Sequence, residues 1–220
     1  MNIEKIMNLW VMICAAAGSM YGFYHFFRPK RAVYLQLITS GVGCILFARV
    51  FQFIHLAVKG SLRAGFHVGM LGVIASFMFF LTANYGQMDG LVDDRSKAFR
   101  KVRILALLMP FVIMLLYVWF CLTVDNTELR IVIGVATLFI MICAYYNFKH
   151  VIIYDVDMGI VKSLRFYNIL VIAYALLTML EFIGLYADIR PLYIAACTGI
   201  GIVALLLLPV LKGGVEKWTI

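Results

Sequence analysis

The sequence predicts an all-α integral membrane protein, a bundle of seven transmembrane helices that takes up residues 1–220 as a single domain. Three observations carry this. Of the 220 residues, 65% are hydrophobic and only 14% charged, too little charge to clothe a soluble domain in water. The apolar residues gather into seven runs, each near the roughly twenty residues that cross a bilayer as a helix. The charges fall in the short segments between those runs. In lipid every backbone N–H and C=O must be satisfied within its own segment, so helices are the natural form and the lipid bilayer is the first partner.

The seven spans are read at about 6–27, 33–58, 65–87, 103–124, 130–152, 165–187 and 191–211. Pro29, Pro191 and Pro209 sit near span ends, where proline is tolerated, whereas Pro110 lies inside the fourth span and is expected to kink it. The first residues, Met1 to Lys5, make a poor signal-peptide start, so the first helix is expected to be retained. All five cysteines, Cys14, Cys44, Cys121, Cys143 and Cys197, fall inside apolar runs without a CxxC pair. They read as small packing residues, not as disulfides or metal ligands. The net charge of +8 does not point to nucleic acid, because the basic residues are scattered through loops as topology determinants.

Those basic residues set an orientation. Thirteen lie on one side, in the loops after the first, third, fifth and seventh spans, and five on the other, with Arg49 inside a span. The positive-inside rule then puts the N-terminus outside and the C-terminus in the cytoplasm. The longest polar loop, Gln87–Arg103, carries Asp89, Asp93, Asp94 and Arg95 ahead of a basic stretch. Two readings apply to it: a solvated loop whose charges hold topology, or a docking surface for a cytoplasmic partner protein. Asp155 and Asp157, with no His or Cys close by, are weak grounds for a metal.

A weak internal repeat runs through the chain. Gln52-Phe-Ile-His-Leu56 in the second span matches Glu181-Phe-Ile-Gly-Leu185 in the sixth. Leu62-Arg63 follows the first and Ile189-Arg190 the second, and each leads into a helix rich in small residues. Tyr24-His-Phe-Phe27 echoes Tyr146-Asn-Phe148. The register suggests that spans 1–3 repeat as 5–7, with span 4 as linker. This layout resembles that of the SWEET and PQ-loop transporters and the KDEL receptor. The resemblance is one of layout and size only: no Pro-Gln pair occurs in the chain, and no residue role carries over.

The chemistry sits in the second and sixth spans. Arg49 and Glu181 are the two formally charged residues deep in apolar runs. A charge at such depth costs several kcal/mol unless it is paired or hydrated, and such residues commonly line a pathway or pocket. At about 1.5 Å rise per residue, Arg49 lies roughly 14 Å and Glu181 roughly 9 Å from the outer ends of their helices, within reach of a long side chain. Gln52 and His55 follow Arg49 at i+3 steps on one arc, and Tyr174 and Thr178 share the face of Glu181. Two readings compete: a structural ion pair, or a cavity open to the outside that grips a small polar solute. In the second, Arg49 contacts an acceptor or anionic group, Gln52 orients it, and Glu181 is counter-ion or proton carrier.

Alternatives are weaker. His55 and His67 lie near the outer ends of their spans and His25 and His150 near the inner ends, the placement that two bis-histidine haems would need; helix-end histidines are more commonly interfacial. No HExxH or GxSxG motif is present, so no enzyme class is favoured, and no cofactor or metal is expected. The expectation is a membrane transporter with ligand-binding residues Arg49, Gln52, Glu181, Tyr174, Thr178 and His55. The alternative is a seven-helix sensor that signals through loop 87–103.

Overall fold

The computed structural model describes residues 3–28, 31–63, 65–89, 97, 99–153 and 159–216. Seven of its helices are long and apolar enough to cross a membrane, and the described residues contain no strand. They are α1 (Ile3–Phe26), α2 (Val33–Lys59), α3 (Gly69–Ala83), α4 in two pieces (α4a, Arg100–Ala106; α4b, Leu108–Thr123), α5 (Thr127–Ile152), α6 (Gly159–Tyr186) and α7 (Arg190–Glu216). Residues 90–96 and 98 of the polar loop, Asp155, Asp157, Pro29, Lys30 and Lys217 lie outside the described residues.

Local chemistry explains most boundaries. Helix α2 stops at Gly60, whose φ of 80° places it in the left-handed region and whose N–H returns to the Leu56 carbonyl at 3.1 Å. Gly65 holds a φ of 110°. With two such residues in the connection, the third helix begins at Gly69 and not at 65. It continues past Ala83 as a π-helical turn, Asn84–Asp89. Asn126 caps α5 by accepting the Leu129 N–H at 3.1 Å.

The proline expectation for the fourth span takes a sharper form. The helix is interrupted at Leu107, and Pro110 falls in the first turn of the next piece. Proline offers no N–H to the Ala106 carbonyl, and its first-turn position in a new helix makes that loss harmless. Pro209 sits inside α7, which runs on to Glu216 and so passes the expected end at 211.

The chain alternates direction, so α1, α3, α5 and α7 begin, and α2, α4 and α6 end, at one face, here termed the N-terminal face. Packing follows a closed circuit: α1 against α2, α2 against α3, α3 against α5, α5 against α6, α6 against α7, and α7 back against α1. Helix α4 stands outside this ring, touching α5 and α6. Only 17% of its most apolar stretch is buried, against 39% or more in every other span. Inside the ring sit large side chains such as Phe77, Phe80, Tyr167 and Tyr174, all fully buried. Outward faces carry exposed Phe47, Leu122 and Phe166, which suits a hydrocarbon surrounding.

Candidate functional site

The ring places α2 and α6 opposite one another, and a single ion pair crosses between them. Arg49 donates from Nη1 to Glu181 Oε1 at 2.5 Å and from Nη2 to Glu181 Oε2 at 2.7 Å. The guanidinium fork matches the carboxylate, an arrangement with strong directional preference. Nη1 also donates to Gln52 Oε1 at 2.9 Å, so the i+3 neighbour on α2 belongs to the same group. Arg49 is 2% and Glu181 3% exposed. Neither charge is tolerable there alone, and together they leave the interior formally neutral.

Other helices complete the setting. Asn8 of α1, fully buried, donates from Nδ2 to the Arg49 backbone carbonyl at 2.9 Å. The Cys197 thiol of α7 lies 3.7 Å from Glu181 Oε1. On α3, Gly69 permits the close approach: a Cβ there would stand 2.6 Å from Gln52 Cγ and 2.7 Å from the Ala48 carbonyl oxygen.

Above the pair, toward the N-terminal face, a cavity of about 430 Å³ is lined by Glu4, Ser61, Arg63, Gly184, Arg190 and Tyr193. Its size falls within the range of small-molecule sites. Tyr193 belongs to both regions: it forms part of the cavity wall and lies one helical turn from Cys197, which touches Glu181. The rim is ion-paired. Glu4 accepts the Leu62 N–H at 2.8 Å and the Ser61 hydroxyl at 3.3 Å, with Arg63 Nε 3.6 Å away. Arg63 Nη2 donates to Asp188 Oδ1 at 2.6 Å. That hydrogen bond, with the charge behind it, holds the Asp188 carboxyl below the usual carboxylate range.

Comparison with known proteins adds no kinship: no protein-family model, no curated protein and no solved structure matches the chain. The geometry therefore has to carry the functional reading by itself.

Of the six residues singled out from the sequence, Arg49, Gln52 and Glu181 meet in one hydrogen-bonded group. The other three lie nearby with different partners. Thr178 donates its hydroxyl to the Tyr174 carbonyl at 2.8 Å, back-bonding along its own helix. The Tyr174 hydroxyl lies 3.0 Å from Ser76 Oγ, and its ring stacks on Phe77 with centroids 4.7 Å apart. His55 packs its ring against His67 with centroids 5.3 Å apart, and neither His55 Nε2 nor His67 Nδ1 has a hydrogen-bond partner.

A second polar group went unread in the sequence. Asn84 Nδ2 at the end of α3 donates to Asn147 Oδ1 of α5 at 3.0 Å and to Asn168 Oδ1 of α6 at 3.2 Å. All three are buried, toward the face opposite the cavity. At the rim of that face Asp89 is paired with Lys149, and His150 Nε2 lies 3.2 Å from Asp89 Oδ1. Burial pushes the Asp89 carboxyl up, but the hydrogen bonds from His150 and Lys149 outweigh it and hold it below the ordinary value.

Proposed function

We propose that the chain is a membrane transporter of a small polar or charged solute, which enters from the N-terminal face and is held at Arg49, Gln52 and Glu181. The observation that carries the reading is a buried, bidentate ion pair between opposite helices of a ring, lying beneath an open cavity. A pair that only joined two packed helices would need neither the cavity above it nor the crossing of the ring interior. The thirteen-to-five split of basic residues supports an outside N-terminus.

The ring also supports an internal repeat. Exchanging α1 with α5, α2 with α6 and α3 with α7 turns every contact of the circuit into another contact of the same circuit. Transporters built from repeats bind solute at the repeat interface within the membrane, and a site at Arg49 and Glu181, between the second helices of the two units, fits that pattern. The same numerical offset that aligns Gln52 with Glu181 aligns Arg49 with Thr178. Both helices thus turn a polar i, i+3 couple inward.

The test is flux. Purified protein in liposomes should take up a solute from a polar panel at a rate that follows its gradient. Arg49→Gln and Glu181→Gln should abolish uptake, counted per folded protein because each variant also loses stability. Saturable binding with no flux for any solute would instead favour a sensor, the second reading. That reading has one observation of its own: Asp89, at the root of the 87–103 loop, is tied to Lys149 and His150 of α5. A cytoplasmic partner protein captured through that loop would be its positive result.

A further inference from the structure

We infer that the solute is a small organic anion carrying an oxyanion head, a carboxylate or a phosphate ester, and that Arg190 and Tyr193 are the residues that first receive it. The inference deepens the transport reading and rests on it for the route, though not for the binding.

The argument is a count of free donors against engaged acceptors. Between the N-terminal face and the ion pair stand three carboxylates. Glu4 accepts from Leu62 N–H and Ser61 and faces Arg63. Asp188 Oδ1 accepts from Arg63, with Arg190 Nε 3.8 Å away. Glu181 has both oxygens on Arg49, and Oε1 also meets the Cys197 thiol. All three carboxylates are already engaged.

The donors are not. Arg190 reaches its carboxylate only at 3.8 Å, beyond hydrogen-bond distance, and its side chain is 71% exposed at the cavity wall. Its guanidinium offers five N–H groups. The Tyr193 hydroxyl, on a residue only 3% exposed, has no hydrogen-bond partner, its polar neighbour being the weakly polar Cys197 thiol. Arg49 Nε is buried with no acceptor. Buried donors without acceptors are rare in folded proteins and costly. A guanidinium at the mouth and an unpartnered hydroxyl in the wall offer the cavity two donors, and a second guanidinium lies beneath. A cation finds each of the three carboxylates already facing an arginine, and the open acceptor beside the pair, Asn8 Oδ1, is neutral. A carboxylate or phosphate pairs with Arg190 and Tyr193 at the cavity wall, and a volume of about 430 Å³ holds one with a short organic body.

The experiment measures thermal unfolding of the purified chain in neutral detergent at low chloride, with lactate, glycerol phosphate, choline or glycerol as probe. Lactate or glycerol phosphate should raise the midpoint saturably, the larger shift identifying the headgroup, while choline and glycerol leave it unchanged. Arg190→Gln, at an exposed position, should weaken anion binding about tenfold, the loss of one charge-assisted contact. Tyr193→Phe should weaken it severalfold while keeping the ring in place. Stabilisation by choline above that by the anions would overturn the inference, as would equal anion binding by wild type and both variants. Anion binding without flux in liposomes would keep the ligand class and remove the transport reading. Flux of choline or glycerol with no anion binding would do the reverse.

Discussion

Removing either member of the Arg49–Glu181 pair should damage the fold, and the two losses should differ in their pH dependence. In Glu181→Gln the guanidinium stays at 2% exposure with only neutral acceptors, Gln52 and the new amide. An arginine cannot shed its charge. The cost of an uncompensated buried charge is about 3–5 kcal/mol, and the full amount is expected. In Arg49→Met the stranded group is a carboxylate, which takes up a proton and becomes neutral. The expected cost at pH 7 is about 3–5 kcal/mol, most of it the free energy of keeping a carboxyl protonated far above its ordinary range, and it shrinks as pH falls. The double variant removes both charges and should be no less stable than Arg49→Met, because the penalty in Glu181→Gln exists only while Arg49 is present. The four proteins form a double-mutant cycle, read by reversible unfolding in mixed micelles at pH 7 and pH 5. Additivity of the two losses to within about 0.5 kcal/mol would mean that the pair does not couple. A loss below about 1 kcal/mol in Glu181→Gln would place the pair in a wet, surface-like setting. Either result refutes the burial argument.

Two further predictions concern packing and pH. Gly18→Ala should cost about 1–3 kcal/mol through overpacking, because its Cβ would stand 2.3 Å from the Ala204 carbonyl oxygen of α7, whereas Gly43→Ala meets nothing within 4 Å and should be neutral or gain up to about 1 kcal/mol of helix propensity; detergent-unfolding midpoints of the two variants separate them. Asp89 has a depressed carboxyl, so its contribution is complete above the ordinary carboxylate range, near pH 4, and is lost as pH falls through the lower folded value. Stability measured from pH 6 to pH 3 should therefore drop at the acid end in wild type, and Asp89→Asn should flatten that drop.

The parts of this molecule that the sequence discloses are those where a residue type is out of place. Arg49 and Glu181 stand out because ionisable groups in apolar runs are rare, and each needs what the other supplies. Gln52 follows from helical spacing alone. The same spacing does not give the hydrogen-bond partners of Tyr174 and Thr178. They share the face of Glu181, yet a threonine can satisfy itself on the carbonyl one turn back, and Ser76 of α3 lies beside the Tyr174 hydroxyl. Sharing a face fixes direction, not partner. Asn84, Asn147 and Asn168 were invisible for the complementary reason. Each is a single neutral amide in its own span, and only the packing of α3, α5 and α6 makes them a group. Cys197 read as a packing residue because nothing in its own helix reveals the carboxylate of α6 beside it.

On the transport reading, the neutrality of the central pair dictates how an anion is carried. An incoming carboxylate that takes the Nη1/Nη2 fork of Arg49 displaces Glu181 from it. The displaced carboxylate is then buried without its cation, the Cys197 thiol 3.7 Å away, a state as costly as the stranded charge of the Arg49→Met variant. Taking a proton from solution lowers that cost: the proton binds a Glu181 oxygen, the anion pairs with Arg49, and the interior is neutral again. One anion and one proton therefore enter together and no net charge moves. Lactate uptake into liposomes should be driven by an inward proton gradient with no lactate gradient, and a potential clamped with potassium and valinomycin should leave its rate unchanged. Glu181→Gln has no carboxylate to protonate and should show no proton-driven accumulation. Uptake that responds to membrane potential and not to the proton gradient would show that the charge on Glu181 persists while the anion is bound, and the exchange at Arg49 would have to be abandoned.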